Sequence, residues 1–158
     1  MSALKRFMNY FLPPLLLMAL IFPMGNRALG SSRLREIFAA VFLWLAPHAS
    51  EQTISLAYVI LRKTSHFMSY GLLAFLFYRA FRGGRGPFWS KRTGFLAASA
   101  AIAYGFLDEL LQTFVPSRIG SPFDWAIDTA GVLTSIALLA WMCARRDRAA
   151  AALSAGKP

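Results

Sequence analysis

The chain has 158 residues, of which 57% are hydrophobic and 15% are charged, and its formal net charge is +10. The mean hydropathy is positive, which is typical of membrane proteins and argues against an ordinary soluble domain. The basic residues are dispersed between apolar runs rather than gathered in one patch, so we expect no nucleic-acid partner. A single cysteine, Cys143, excludes an intrachain disulfide and a CxxC redox pair.

The first half of the chain predicts one membrane span and a connection at the membrane surface. Residues 7–23 are apolar and cover about 25 Å as a helix, which is enough to cross a bilayer. Residues 37–46 and 53–61 are apolar but too short to span. We therefore expect residues 26–62 to form an interfacial or re-entrant helical connection.

The second half predicts three further spans, at residues 65–81, 94–114 and 123–143. Glycine and proline residues break the chain between them. The expected architecture is an all-α, polytopic bundle of about four transmembrane helices. We expect residues 1–148 to form a single domain and residues 149–158 to form a flexible C-terminal tail.

Basic residues predict the orientation, because cytoplasmic loops retain an excess of lysine and arginine. In the four-span arrangement one side collects Lys5, Arg6, Arg79, Arg82, Arg85, Lys91, Arg92, Arg145, Arg146, Arg148 and Lys157. Both termini should therefore be cytoplasmic. The opposite, extracytoplasmic side combines fewer cations with most of the acids.

Polar side chains gather at the predicted extracytoplasmic end of three spans. Lys63, His66 and Tyr70 are three and four residues apart, so they share one face of a helix. Ionisable groups near a bilayer are costly unless they are paired or face a polar cavity. This cluster is therefore the candidate functional site.

The end of the third predicted span contributes two acids and an amide. Asp108 and Gln112 are four residues apart and share a helical face, whereas Glu109 is turned about 100° away. The negative end of the helix dipole disfavours carboxylates at this position, so a compensating cation is expected. Lys63, Arg118 or a bound metal ion could provide it.

The last predicted span begins with a third group of polar residues. Arg118 lies in a turn-rich loop, where its guanidinium could bind a carboxylate or phosphate. Ser121 is expected to cap the helix, and Asp124 falls in its first turn, where the dipole favours an acid. Asp128 and Gly131 continue the same face, which predicts close helix packing at Gly131.

Together these residues resemble the VanZ-like family of small bacterial membrane proteins. The resemblance covers about the last two thirds of the chain and rests on Lys63, His66, Phe67, Tyr70, Tyr104, Gly105, Asp108, Glu109, Gln112, Pro116, Arg118, Asp124 and Gly131. It implies a multi-pass protein of the bacterial inner membrane with a role in the cell envelope. The founding member is associated with resistance to the glycopeptide teicoplanin. Asp128 stands where the family pattern leads us to expect asparagine, which makes this site more negative.

The first functional hypothesis is a protein that binds or shields an anionic, lipid-linked envelope intermediate, such as a polyprenyl phosphate. The cations would contact phosphate, and the helices would accommodate the lipid chain. The residues assigned to substrate or phosphate binding are Lys63, Tyr70, Gln112, Arg118 and Asp128. Membrane lipids are the expected partners, and assembly into an oligomer stays open.

The second hypothesis is a membrane enzyme, a hydrolase or transferase that acts on such a lipid. Its candidate catalytic residues are His66, Asp108, Glu109 and Asp124. A divalent cation, Mg²⁺ or Ca²⁺, is a candidate cofactor, because carboxylate oxygens suit both ions. Its candidate ligands are Asp108, Glu109, Asp124 and Asp128. A third reading is a structural ion-pair network with no ligand.

Overall fold

The computed structural model describes residues 2–24, 31–84, 89–114 and 121–155. These residues form helices and no strand, so the all-α prediction is confirmed. The helices are α1 (Ala3–Tyr10), α2 (Leu12–Met24), α3 (Ser31–Leu45), α4 (Glu51–Arg82), α5 (Lys91–Thr113) and α6 (Pro122–Ala155). Residues 149–155 of the predicted tail are therefore helical.

The chain bends by 41° between α1 and α2. Pro13 and Pro14 lie in the first turn of α2, where the backbone N–H groups have no partner within the helix. Proline is tolerated at these positions but cannot donate a hydrogen bond back into α1. The first apolar run is therefore a broken helix rather than a straight one.

Helix α4 is longer than the sequence led us to expect. It has 32 residues and so a length of about 48 Å. Ser50 accepts a hydrogen bond from the backbone of Thr53 at its start, and Gly83 ends it in the left-handed conformation, with φ 58°. The prediction that residues 53–61 are separate from the second span is wrong, because α4 runs through both. No proline interrupts the chain from residue 51 to residue 82.

Helices α4 and α6 run parallel and pack closely. Lys63 contacts Asp124, and Phe67 lies beside Gly131, so residue numbers rise together along both helices. A Cβ atom on Gly131 would lie 2.1 Å from the carbonyl oxygen of Phe67, which is too close for any side chain. The predicted close packing at Gly131 is confirmed.

Helix α5 runs antiparallel to both of its neighbours. The indole of Trp125 in α6 donates to the carbonyl oxygen of Ile102 at 3.3 Å, while the start of α6 meets Glu109. Helix α2 joins this core through the hydroxyl of Tyr104, which donates to the carbonyl oxygen of Met18 at 2.8 Å. The buried core consists of Ile21, Tyr70, Leu73, Ala74, Ala101 and Val132.

Fewer helices have the length and composition of a membrane span than the four that we expected. In the described part of the chain there are two, Lys91–Thr113 and Pro122–Arg146, or three if the bent pair α1–α2 crosses as one. The predicted span at residues 65–81 lies within α4, where Lys63 and His66 precede the apolar stretch and Arg79 and Arg82 close it. The uninterrupted apolar part of α4 is therefore short.

Candidate functional site

The outer part of the site is a carboxylate held by two cations. Asp124 in the first turn of α6 accepts a hydrogen bond from Arg62 Nη2 at 2.8 Å and one from Lys63 Nζ at 2.5 Å. The side chains of Arg62 and Lys63 are 47% and 34% exposed, whereas that of Asp124 is 11% exposed. Lys63 also lies 4.9 Å from the centre of the Phe123 ring. Two positive charges on one carboxylate leave a positive charge uncompensated within this group.

One helical turn deeper, His66 of α4 meets Asp128 of α6. The Nδ1 atom of His66 lies 3.2 Å from Oδ1 of Asp128. The Asp128 side chain is 2% exposed, and its Oδ2 atom is buried without a hydrogen-bond partner among the described residues. The pair joins α4 to α6, and the other carboxylate oxygen has no donor in the part of the chain that the structure describes.

The innermost part of the site is centred on Asp108 of α5. Its Oδ2 atom accepts from the hydroxyl of Tyr70 at 3.3 Å and from the side-chain amide of Gln112 at 3.0 Å. Tyr70 is fully buried, and its ring stacks near that of His66, with centroids 6.5 Å apart. These contacts link the His66 pair to the core of the bundle.

Glu109 points to a different neighbour, as the 100° turn between adjacent helical residues predicts. Its Oε2 atom accepts from the backbone N–H of Ser121 at 2.8 Å. The hydroxyl of Ser121 in turn accepts from the backbone of Asp124 at 3.4 Å, so its predicted role as the cap of α6 is confirmed. Glu109 therefore fixes the start of the helix that presents Asp124.

The family model described as VanZ/LLP1 matches residues 10–143, which is most of the chain and includes every described residue of the site. The chain belongs to the VanZ/LLP1 family. The resemblance inferred from the polar residues is thereby confirmed. Neither the curated proteins nor the solved structures with which the chain was compared include a match.

The VanZ/LLP1 chain brings most of the predicted site residues into one column along α4. Lys63, His66 and Tyr70 contact Asp124, Asp128 and Asp108 in that order. Lys63, expected as a partner for the acids of α5, binds the acid of α6 instead. Arg118 lies outside the described residues.

Arg62 is the site residue that the sequence reasoning missed. The spacing that groups Lys63, His66 and Tyr70 does not include Arg62, because adjacent residues project in different directions from a helix. Its long side chain nevertheless reaches the same carboxylate as Lys63. The signal that could have identified Arg62 is its position next to Lys63, at the same predicted end of the bundle as the acids of two other helices.

The carboxylates proposed as metal ligands are held apart by their own partners. Among the residues that the structure describes, no group of three or more His, Cys, Asp or Glu side chains is placed to hold a metal ion. Asp108 binds Tyr70, Asp124 binds two cations, and Glu109 accepts from the backbone. The geometry gives the Mg²⁺ or Ca²⁺ hypothesis no support.

Proposed function

We propose that this VanZ/LLP1 protein binds the phosphate of an anionic, lipid-linked envelope intermediate at the extracytoplasmic end of its bundle. The observation that carries the proposal is the sharing of Asp124 by Arg62 and Lys63, both partly exposed. A phosphate could accept from the remaining N–H donors of both cations, and guanidinium donors suit it particularly well. The excess positive charge of this group favours an anionic ligand over a cation.

The surroundings of the cations suit a lipid. Phe123, directly beside Lys63, is 66% exposed, and Phe114 at the end of α5 is 76% exposed. Exposed apolar rings next to charged groups are suited to contact with lipid chains below the polar head groups. An isoprenoid or acyl chain could lie along the apolar helices while the phosphate meets Arg62 and Lys63. Holding such an intermediate is also the activity that would connect this site with glycopeptide resistance.

The orientation belongs to the same proposal. The opposite end of the bundle carries cations from four helices, among them Arg6 beside Gly83, Arg79 over Tyr10, and Arg145 over Trp141. An excess of basic residues at one end supports a cytoplasmic location for that end and for both termini, in the bacterial inner membrane. We propose that α4 also crosses the membrane. Its contacts with α2, α5 and α6 shield its polar face from lipid.

Two substitutions should change lipid binding in opposite directions. Lys63→Ala removes a cation and should weaken binding of a polyprenyl phosphate about tenfold, the effect of losing one charge-assisted hydrogen bond. Asp124→Asn removes the competing negative charge but keeps a similar shape, so it should strengthen binding about threefold. Native mass spectrometry of the protein titrated with the lipid would measure both.

Lys91→Ala is the matched control, because Lys91 is exposed at the other end of the bundle and its loss changes the net charge equally. The proposal predicts affinity close to that of the unaltered protein for this variant. If Lys91→Ala and Lys63→Ala weaken lipid binding equally, the loss of affinity reflects the net charge of the protein rather than a contact at Lys63. Weakening by Asp124→Asn would instead indicate that the carboxylate itself binds the ligand.

A second candidate function is a hydrolase or transferase, favoured by the contact between His66 and Asp128. A carboxylate at Nδ1 would orient the imidazole and leave Nε2 to accept a proton from an attacking water or hydroxyl. His66→Ala and Asp128→Asn should then each abolish release of phosphate from a polyprenyl diphosphate. Turnover that persists in both variants would exclude this mechanism.

A further inference from the structure

The inner part of the site has an excess of acids. Among the described residues, neither Asp108, Glu109 nor Asp128 has a lysine or arginine within ion-pair distance. Asp108 and Glu109 accept hydrogen bonds from neutral donors, but Oδ2 of Asp128 accepts none from the described residues. A buried carboxylate oxygen without a donor is costly, so this position favours a group that brings hydrogen-bond donors and positive charge.

Asp128 lies close to the proposed phosphate position. Asp128 is four residues after Asp124 on the same face of α6, about 6 Å further along the helix axis. One ligand could therefore place a phosphate at Arg62 and Lys63 and a second group at Asp128, if a short linker joins the two. Each charged group of the ligand would then face a protein group of opposite charge.

Building on the proposed function, we propose that the head group bound at this site carries a primary ammonium next to its phosphate. The ammonium donates to Asp128, and the phosphate accepts from Arg62 and Lys63. A phosphoethanolamine-type head group has this chemistry, with two carbon atoms between the phosphate ester oxygen and the nitrogen. A hydroxyl would supply a donor but would bring no positive charge to the three acids of the inner site.

The His66 ring would control access to this position. It is 24% exposed and contacts the other oxygen of Asp128. Rotation of this ring is the local change that would let an ammonium reach the carboxylate. His66 is thus a positioning residue, whereas Asp128 contacts the ligand.

A series of lipids with identical acyl chains tests the proposal on the unaltered protein. The head groups are phosphoethanolamine, its mono- and dimethylated forms, and phosphocholine, which has the same charges but no N–H donor. Native mass spectrometry should show affinity that falls with each methyl group, by about tenfold over the series. Equal affinity for all four lipids would overturn the inference.

The Asp128→Asn variant distinguishes a lipid preference caused by hydrogen bonding and charge from one caused by the size of the head group. The substitution keeps the shape of the side chain, so a preference caused by size alone should persist, whereas the proposed preference should disappear. A preference that survives in Asp128→Asn would contradict the assignment to Asp128. If the variant fails to fold, the lipid series on the unaltered protein still decides.

Lys63→Ala distinguishes this inference from the proposed function. If it weakens all four lipids while the unaltered protein shows no preference among them, phosphate binding stands and the ammonium site fails. If it leaves all four affinities unchanged, phosphate binding at Arg62 and Lys63 fails as well. The expected result is uniform weakening with the preference for phosphoethanolamine retained.

Discussion

Gly131→Ala is expected to destabilise the protein by about 3 kcal/mol, at the upper end of the usual cost of overpacking. The added Cβ would lie 2.1 Å from the carbonyl oxygen of Phe67 and 3.1 Å from its Cα, so two helix backbones would have to separate. Since Lys63 and His66 meet α6 on the same face, this separation should also loosen the site. Thermal unfolding in detergent, followed by circular dichroism, would measure the loss.

Two control variants show how much of the loss in unfolding temperature comes from the contact at Gly131. Ala130→Val enlarges the neighbouring, exposed position and should have little effect on the unfolding temperature. Gly105→Ala places a Cβ 3.1 Å from the Tyr70 ring, which can yield more easily than a backbone, so an intermediate loss is expected. Unfolding of Gly131→Ala at the same temperature as Ala130→Val would contradict the close packing of α4 on α6.

Removing both cations of the outer site should have the largest effect on binding. In the Arg62→Ala/Lys63→Ala variant a lipid phosphate loses two charge-assisted partners, and Asp124 is left as an unpaired negative charge beside it. Each partner contributes about tenfold to affinity, so we expect a loss of about a hundredfold. Titration with a polyprenyl phosphate would detect it.

The control removes two cations elsewhere. Arg35→Ala/Lys91→Ala makes the same change in net charge, but Arg35 pairs with Glu51 and Lys91 begins α5 at the other end. This variant should keep its affinity within about twofold of the unaltered protein. A hundredfold loss in both double variants would mean that net charge, rather than this site, attracts the lipid.

Helical spacing made the column of polar residues predictable. Lys63, His66 and Tyr70 recur every three or four residues, and Asp124, Asp128 and Gly131 do the same in α6. Such a pattern identifies a face without reference to the neighbouring helix. The resemblance to the family, carried by these residues, is confirmed by the match of the family model to residues 10–143.

The partners of the charged side chains could not be predicted in the same way. Which carboxylate Lys63 reaches depends on which helices pack against the start of α4, and this is a property of the packed bundle. The flexible side chain of Arg62 reaches the same acid from an adjacent helical position. The spacing of residues along one helix predicts neither the acid that Lys63 contacts nor the acid that Arg62 reaches.

Fewer helices have the composition of a membrane span than the four that we expected, because α4 carries charged residues before and after its apolar part. Helix α4 buries a polar face against α5 and α6, so its composition is less apolar than that of α5 or α6. The continuity of α4 was foreseeable from the absence of proline between residues 51 and 82. The length of a helix and the length of its apolar part are separate properties.

The most direct test of the proposed function is an experimental structure of the protein in nanodiscs that contain a polyprenyl phosphate. We expect density for the phosphate within hydrogen-bond distance of Arg62 and Lys63, beside Asp124, with the lipid chain near Phe123. Lipid phosphate only at the opposite, basic end, with Arg62 and Lys63 contacting nothing but Asp124, would contradict the account and leave the cluster as a structural ion-pair network.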